Sequence, residues 1–145
     1  MTRKAVSLFG AIGILLALGM SASAQTDDPP WDCTKDDLPQ QGLNYCGWEE
    51  FSEADETLNQ VYKQVRKYVR TLDKDYAEND SNLVGAEKAL LKAQRAWIDY
   101  RDGQCELAGF YARGGSLETL LVANCQTELT RQRTKELRAV IEQQN

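Results

Sequence analysis

Histidine is missing from this chain of 145 residues, and with it a side chain widely used for acid–base catalysis and for binding transition metals. After residue 24 the only serines are Ser52, Ser81 and Ser116. None of them lies in a nucleophile elbow, and no phosphate-binding loop occurs. We therefore expect no enzyme activity, no metal site and no cofactor.

Carboxylates are the one catalytic group present in number, and paired carboxylates can hydrolyse glycosides. Glu49, Glu50, Glu53 and Asp55 lie close together in the sequence. On a single helix, however, carboxylates at this spacing are typical of a solvated face. We prefer that interpretation to a glycosidase site.

Charged residues are scarce in the first 24 residues. Arg3 and Lys4 precede a mostly apolar run at residues 5–20, and the small residues 22–24 precede Gln25. This order is typical of a secretory signal peptide. We expect cleavage after Ala24, which leaves a single domain at residues 25–145 in the periplasm or outside the cell.

A membrane anchor is the competing interpretation of the apolar run. The run is short, contains three glycines and ends in small residues that suit signal peptidase. No cysteine lies in or beside the cleavage region, so attachment of a lipid to a new N-terminal cysteine is not supported. The mature protein is therefore expected to have no stable membrane anchor.

The formal charge of the whole chain is −5, and loss of the two positive charges in residues 1–24 makes it −7. An acidic surface disfavours nucleic acid and anionic lipid, and it attracts basic proteins at low salt. Solubility alone is the simpler explanation of the same charge.

Four cysteines, Cys33, Cys46, Cys105 and Cys125, follow the expected cleavage site. An even number in an exported chain predicts two disulfides, for which three connectivities are possible. Cys105 and Cys125 lie at similar distances from the Gly114-Gly115 break, so a helical hairpin would place them side by side and leave Cys33 for Cys46. A zinc site is the alternative, but no close cysteine pair and no histidine supports it.

Three apolar seams repeat at alternating spacings of three and four residues, the period of an amphipathic helix. The first consists of Phe51, Ala54, Leu58, Val61, Val65, Tyr68 and Leu72. The second consists of Leu83, Ala86, Leu90, Ala93, Trp97 and Tyr100. The third, rich in threonine, consists of Leu120, Ala123, Thr127, Thr130, Thr134, Leu137 and Ile141.

These seams predict an all-α fold of three helices. The first helix should cover about residues 45–76, and the charged, turn-forming stretch at 73–82 should connect it to the second. Ser81 or Asn82 would cap the second helix, and the third should start near Ser116. We expect an antiparallel up-down-up bundle with a short N-terminal arm that carries Trp31.

In that topology all four cysteines lie at one end of the bundle. The two disulfides would staple this end together. The same proximity keeps the pairing open, because Cys46 could also reach Cys105 or Cys125.

Four motifs carry a resemblance to a known family. They are Asp55-x-x-Leu58-Asn59-x-x-Tyr62, Gln94-Arg95-Ala96-Trp97-x-x-Tyr100-Arg101-Asp102-x-x-Cys105, Gly114-Gly115-Ser116, and Cys125 followed by Leu129-Thr130-Arg131-x-Arg133-x-x-Glu136-Leu137. In order and spacing they resemble the LprI-type family of small exported bacterial proteins, named after a lipoprotein described as a lysozyme inhibitor. The resemblance implies a binding protein that binds and inhibits lysozyme. The acidic charge leaves another basic protein as a possible partner.

Structural roles are the simplest explanation for the residues of these motifs. Trp97 and Tyr62 are expected to be core aromatics. The polar members beside the seams should form a network that fixes helix register. That set is Asp55, Asn59, Arg101, Asp102, Thr130 and Arg131. In the alternative, Arg101, Arg131 and Arg133 converge on an exposed groove and bind an anion.

The hairpin tip is the candidate contact loop for a lysozyme. Arg113 and Ser116 would supply hydrogen-bond donors to carboxylates in the lysozyme cleft, and Gly114 and Gly115 would shape the loop. The alternative for the glycines is that they only let the chain turn. The alternative function is that of a non-catalytic envelope or stress-related protein that binds another cell-envelope component.

Overall fold

The structure, a computed structural model, describes residues 30–142, so the expected signal peptide lies outside the described residues. Three helices make up this part of the chain: α1 (Gln40–Asn79), α2 (Ala86–Gly109) and α3 (Glu118–Glu142). Single 3-10 turns occur at Ser81–Leu83 and Phe110–Ala112, and residues 30–142 contain no strand. The predicted all-α class with three helices is confirmed.

Helix α1 is longer at both ends than the predicted residues 45–76. It begins at Gln40, directly after Pro39, and continues to Asn79. The expected connection at residues 73–82 is therefore mostly helical, because its Lys, Asp, Glu and Ala residues do not break a helix. Helix α3 begins at Glu118, two residues after the predicted start at Ser116.

Helix α2 takes its N-terminal cap from α1, and the prediction that Ser81 or Asn82 would provide it was wrong. Both residues lie in the 3-10 turn before α2. The carboxylate of Asp73 instead accepts hydrogen bonds from three consecutive backbone N–H groups, those of Gly85 (2.7 Å), Ala86 (2.7 Å) and Glu87 (2.9 Å). These N–H groups lower the pKa of Asp73, and they tie the end of α1 to the start of α2.

The core contains the middle of the first and third predicted seams. Its buried apolar cluster consists of Leu58, Val61, Val65, Val69, Leu90 and Leu137. Tyr62 and Trp97 pack against this cluster as partly buried side chains, as expected. The second seam was wrong at three positions, because Leu83, Ala93 and Tyr100 are exposed.

The pairing of α1 with α3 is the most extensive of the helix contacts. Helix α2 packs on both, with more contact to α3 than to α1. These contacts are compatible with the up-down-up bundle. Since α2 has the smaller share of the packing, it leaves more of its surface to solvent.

Buried threonines give α3 its polar seam, and they differ in how their hydroxyls are satisfied. The Oγ1 atoms of Thr127 and Thr134 donate to the carbonyls of Ala123 and Thr130, both at 2.9 Å. Thr130 is completely buried, and its own Oγ1 has no hydrogen-bond partner within residues 30–142.

We expect Thr130→Val to raise the free energy of unfolding by about 1 kcal/mol, because valine has the same shape without an unpaired hydroxyl. Urea unfolding followed by circular dichroism would measure the change. The matched control is Thr134→Val, which removes a hydrogen bond that is made and should not stabilise. A loss of stability in the Thr130 variant would contradict this account of the seam.

Candidate functional site

Both disulfides lie at the end of the bundle where α2 turns into α3. Cys33 is bonded to Cys46 with a Cα–Cα distance of 5.5 Å, and Cys105 is bonded to Cys125 with a distance of 5.4 Å. The first bond ties the N-terminal arm to α1, and the second joins α2 to α3. We call this the disulfide end.

The start of α1 also reaches the hairpin between α2 and α3. The side-chain amide of Asn44 donates to the backbone carbonyl of Ser116 at 3.0 Å. Close packing joins the same elements, because an added Cβ on Gly47 would lie 2.9 Å from Cδ1 of Leu120. All three helices therefore position the hairpin.

The hairpin tip is held by the first residue of α3. Glu118 accepts the backbone N–H of Gly114 at 2.8 Å and the guanidinium of Arg113 at 2.6 Å. The Gly114 N–H is the largest cause of the lowered pKa of Glu118, and Arg113 adds to it. Gly114 has a φ of +78°, a conformation that glycine adopts without strain. The tip is thus a fixed turn.

Exposed apolar side chains surround this turn. Tyr111 is 90% exposed, Leu107 is 64% exposed and Phe110 is 52% exposed. The guanidinium of Arg113 lies 4.4 Å from the centre of the Phe110 ring. We call Leu107, Phe110, Tyr111 and residues 113–116 together the tip surface.

The sequence did not single out Leu107, Phe110 or Tyr111 as contact residues. A signal was present, since they are apolar residues close to a glycine turn and they lie outside the predicted second seam. Exposed aromatic and aliphatic side chains next to one another are typical of interaction sites.

Below the tip, Arg101 connects α1 and α2. Its side chain is 11% exposed and pairs with Asp102 through Nε (2.8 Å) and with Asp55 through a terminal nitrogen (3.2 Å). The amide of Asn59 donates to the same Asp55 carboxylate at 2.8 Å. The structure thus brings together four of the six residues expected in the polar network.

The other two residues of that set have different surroundings. Thr130 lies in the α3 seam described above, and Arg131 pairs with Glu50 at 2.7 Å. Arg133 donates to Gln94 at 3.2 Å and pairs with Glu136 at 3.0 Å. The arginines considered for an anion groove therefore bind separate partners, and the structure does not support a groove shared by Arg101, Arg131 and Arg133.

Two of the four carboxylates considered for glycoside hydrolysis also have separate partners. Glu50 pairs with Arg131 and Asp55 pairs with Arg101. Within residues 30–142 no group of three or more Cys, Asp or Glu side chains could hold a metal ion. No helix in this described part is both long and apolar enough to cross a membrane.

Comparison with known proteins places these features in a family. A family model described as lysozyme inhibitor LprI matches residues 32–137. An uncharacterised Rhizobium meliloti (strain 1021) protein, R02472, is 48% identical over 132 residues, which cover 91% of this chain and 93% of that protein. The uncharacterised protein YecT of Escherichia coli (strain K12) is 30% identical over 73 residues, which cover 50% of this chain and 43% of YecT. No solved structure matches.

Proposed function

Because this chain belongs to the LprI lysozyme inhibitor family, we propose that it is an exported, non-catalytic protein that binds lysozyme and inhibits it. The signal-peptide pattern of residues 1–24 supports export, and the charge of −7 expected after its removal favours a basic partner. We take the domain to be residues 25–145, folded as an up-down-up bundle.

We place the contact at the tip surface, and the observation that carries this placement is its exposed apolar cluster on a fixed turn. A rigid surface loses little conformational entropy when it binds. Aromatic side chains such as Tyr111 are the most frequent hot spots of protein interfaces. The nearby carboxylates Asp99 and Glu106 are exposed on α2, and they would attract the basic rim of a lysozyme.

Residues 113–116 are expected to shape the contact surface. They are not expected to donate hydrogen bonds into the lysozyme cleft. Arg113 is paired with Glu118 and lies over Phe110, and the carbonyl of Ser116 is bound by Asn44. These contacts support a loop that shapes the surface, with Tyr111 as the side chain that enters the partner.

The test is the rate at which lysozyme clears a cell-wall suspension. We expect the purified protein to slow the loss of turbidity in proportion to its concentration. An unchanged rate at excess protein would contradict lysozyme inhibition and favour the alternative partner, another cell-envelope component.

For the contact surface we expect Tyr111→Ala to raise the inhibition constant by about tenfold or more, because it removes the central anchor. Tyr76→Ala is the matched control, since Tyr76 is also exposed but lies at the end of α1 far from the tip. Arg113→Ala with Ser116→Ala should cause a smaller loss. Full inhibition by the Tyr111 variant would move the contact away from the tip while leaving the function intact.

A further inference from the structure

The basic residues of this acidic chain are concentrated on one surface away from the disulfide end. A shallow depression on α1 is lined by Lys63, Arg66, Lys67, Arg70, Thr71 and Lys74. An adjoining open groove of about 1000 Å³ adds cations of α2, namely Lys88, Lys92 and Arg95, to Arg66 and Arg70. We call these eight Lys and Arg residues the basic face.

Few carboxylates balance this charge. The depression has none in its lining, and the groove has only Asp73 and Glu87. Asp73 is already occupied by the three backbone N–H groups at the start of α2. Within residues 30–142 the six members of the basic face other than Arg66 and Arg70 make no salt bridge.

Glu87 holds the two central arginines side by side. Its Oε1 atom accepts Nε of Arg66 at 2.8 Å and Nε of Arg70 at 2.7 Å. Hydrogen bonds from these two guanidinium groups are the largest cause of the lowered pKa of Glu87. A single carboxylate thus leaves the pair with a net positive charge and fixes the orientation of both.

The terminal nitrogens of Arg66 and Arg70 remain for a ligand, since they donate no hydrogen bond within the described residues. A guanidinium fork matches the oxygens of a phosphate and can bind them in pairs. Because both forks are already oriented, binding would cost less side-chain entropy.

The carboxylates of the disulfide end do not cancel the positive charge of this surface. At physiological salt the Debye length is about 8 Å. The cations of α1 from Lys63 to Lys74 extend over about 16 Å at the helical rise per residue. The carboxylates of the disulfide end are farther along the bundle and are largely screened.

We propose that the basic face binds a ligand that carries adjacent phosphate groups. Arg66 and Arg70 bind one phosphate, and Lys88, Lys92 and Arg95 on the facing helix bind the next. A soluble oligophosphate and the neighbouring headgroups of an anionic lipid surface both offer this chemistry. This site is separate from the tip surface and does not depend on lysozyme binding.

The experiment uses two probes with the purified protein. Calorimetric titration with inorganic tripolyphosphate tests the soluble source. Flotation with phosphatidylglycerol–phosphatidylcholine vesicles, against phosphatidylcholine vesicles alone, tests the lipid source. We expect binding in at least one arm at about 50 mM salt and weaker binding at about 200 mM. The arm that binds identifies the source, and no binding in either arm overturns the proposal.

Two charge-matched variants test the location. Lys92→Gln with Arg95→Gln should weaken binding about tenfold, because two exposed ionic contacts are lost. The control is Lys135→Gln with Arg138→Gln, which removes one lysine and one arginine at the same spacing from α3. These two residues line a separate groove between α1 and α3. This variant should weaken binding less than twofold. Circular dichroism would verify that both variants fold. Equal weakening by the two variants would show general attraction to positive charge and overturn the site.

Discussion

Replacement of Cys105 and Cys125 together by alanine is expected to lower the free energy of unfolding by about 3 to 4 kcal/mol. The bond closes a sequence separation of 20 residues, for which the chain-entropy model gives about 3 kcal/mol. Cys105 is also completely buried between α2 and α3, so its sulfur leaves a void when it is removed. Urea unfolding followed by circular dichroism would measure the loss.

The second disulfide provides the control. Cys33 and Cys46 close a sequence separation of 13 residues, so the chain-entropy model gives nearly the same value, about 3 kcal/mol. Cys33, however, lies on an exposed arm that touches α1 through Trp31, which packs against Gly42. When this bond is removed the arm can detach and regain part of its entropy in the folded protein. We therefore expect the Cys33→Ala, Cys46→Ala variant to lose only about 1 to 2 kcal/mol.

Peptide mapping without reduction would establish which bonds are present before the two variants are compared. Linked fragments that contain Cys33 with Cys46, and Cys105 with Cys125, are expected. A fragment that links Cys46 to Cys125 would contradict this pairing. Equal losses of stability in the two variants would contradict the claim that burial adds to the effect of Cys105.

The core could be predicted from the sequence because burial repeats with the helical period. Val65 and Thr130 are interior members of the first and third seams, and both are completely buried. The cap of α2 could not be predicted in the same way. Asp73 precedes the N–H groups that it binds by 12 to 14 residues, whereas capping patterns cover only a few residues. A cap supplied by another helix leaves no local pattern.

The surface of α2 shows a second limit to predicting burial from helical periodicity. Tyr100 continues the second seam in the sequence but is exposed in the structure, because α1 and α3 pair most extensively with each other. An apolar period predicts that a face can be buried, but the packing of the other helices decides how much of it they cover. The tip shows the same limit. Its glycines predicted a turn, but the exposure of Phe110 and Tyr111 depends on how the helices pack and could not be predicted from the sequence.

Arg101→Ala is expected to lower the free energy of unfolding by about 2 to 3 kcal/mol. The guanidinium lies 5.2 Å from the ring centre of Phe51 and 5.1 Å from that of Trp97, so the side chain fills space between α1 and α2. Contacts of a cation with aromatic faces contribute about 0.5 to 2 kcal/mol each, depending on how far they are desolvated. Loss of the aliphatic stem adds a packing term.

The ion pairs of Arg101 should matter less than this packing. The side chains of Asp55 and Asp102 are 38% and 51% exposed, so water can solvate both carboxylates when the arginine is absent. The loss should therefore stay below the 3 to 5 kcal/mol that is typical when one partner of a fully buried pair is removed. Arg101→Met tests this division because it keeps an unbranched side chain about as long as the aliphatic stem of arginine, without the charge. We expect it to lose about 1 kcal/mol.

Urea unfolding of the Ala and Met variants would be compared with that of the unmodified protein. If Met is as damaging as Ala, the charge of Arg101 dominates through its two carboxylates and the two aromatic rings, and the packing account is wrong. The comparison also separates stability from binding. Arg101 does not belong to the tip surface, so a folded Arg101→Met variant should inhibit lysozyme as the unmodified protein does. Inhibition lost in this variant, with its fold retained, would place the contact on the side of α2 and away from the tip.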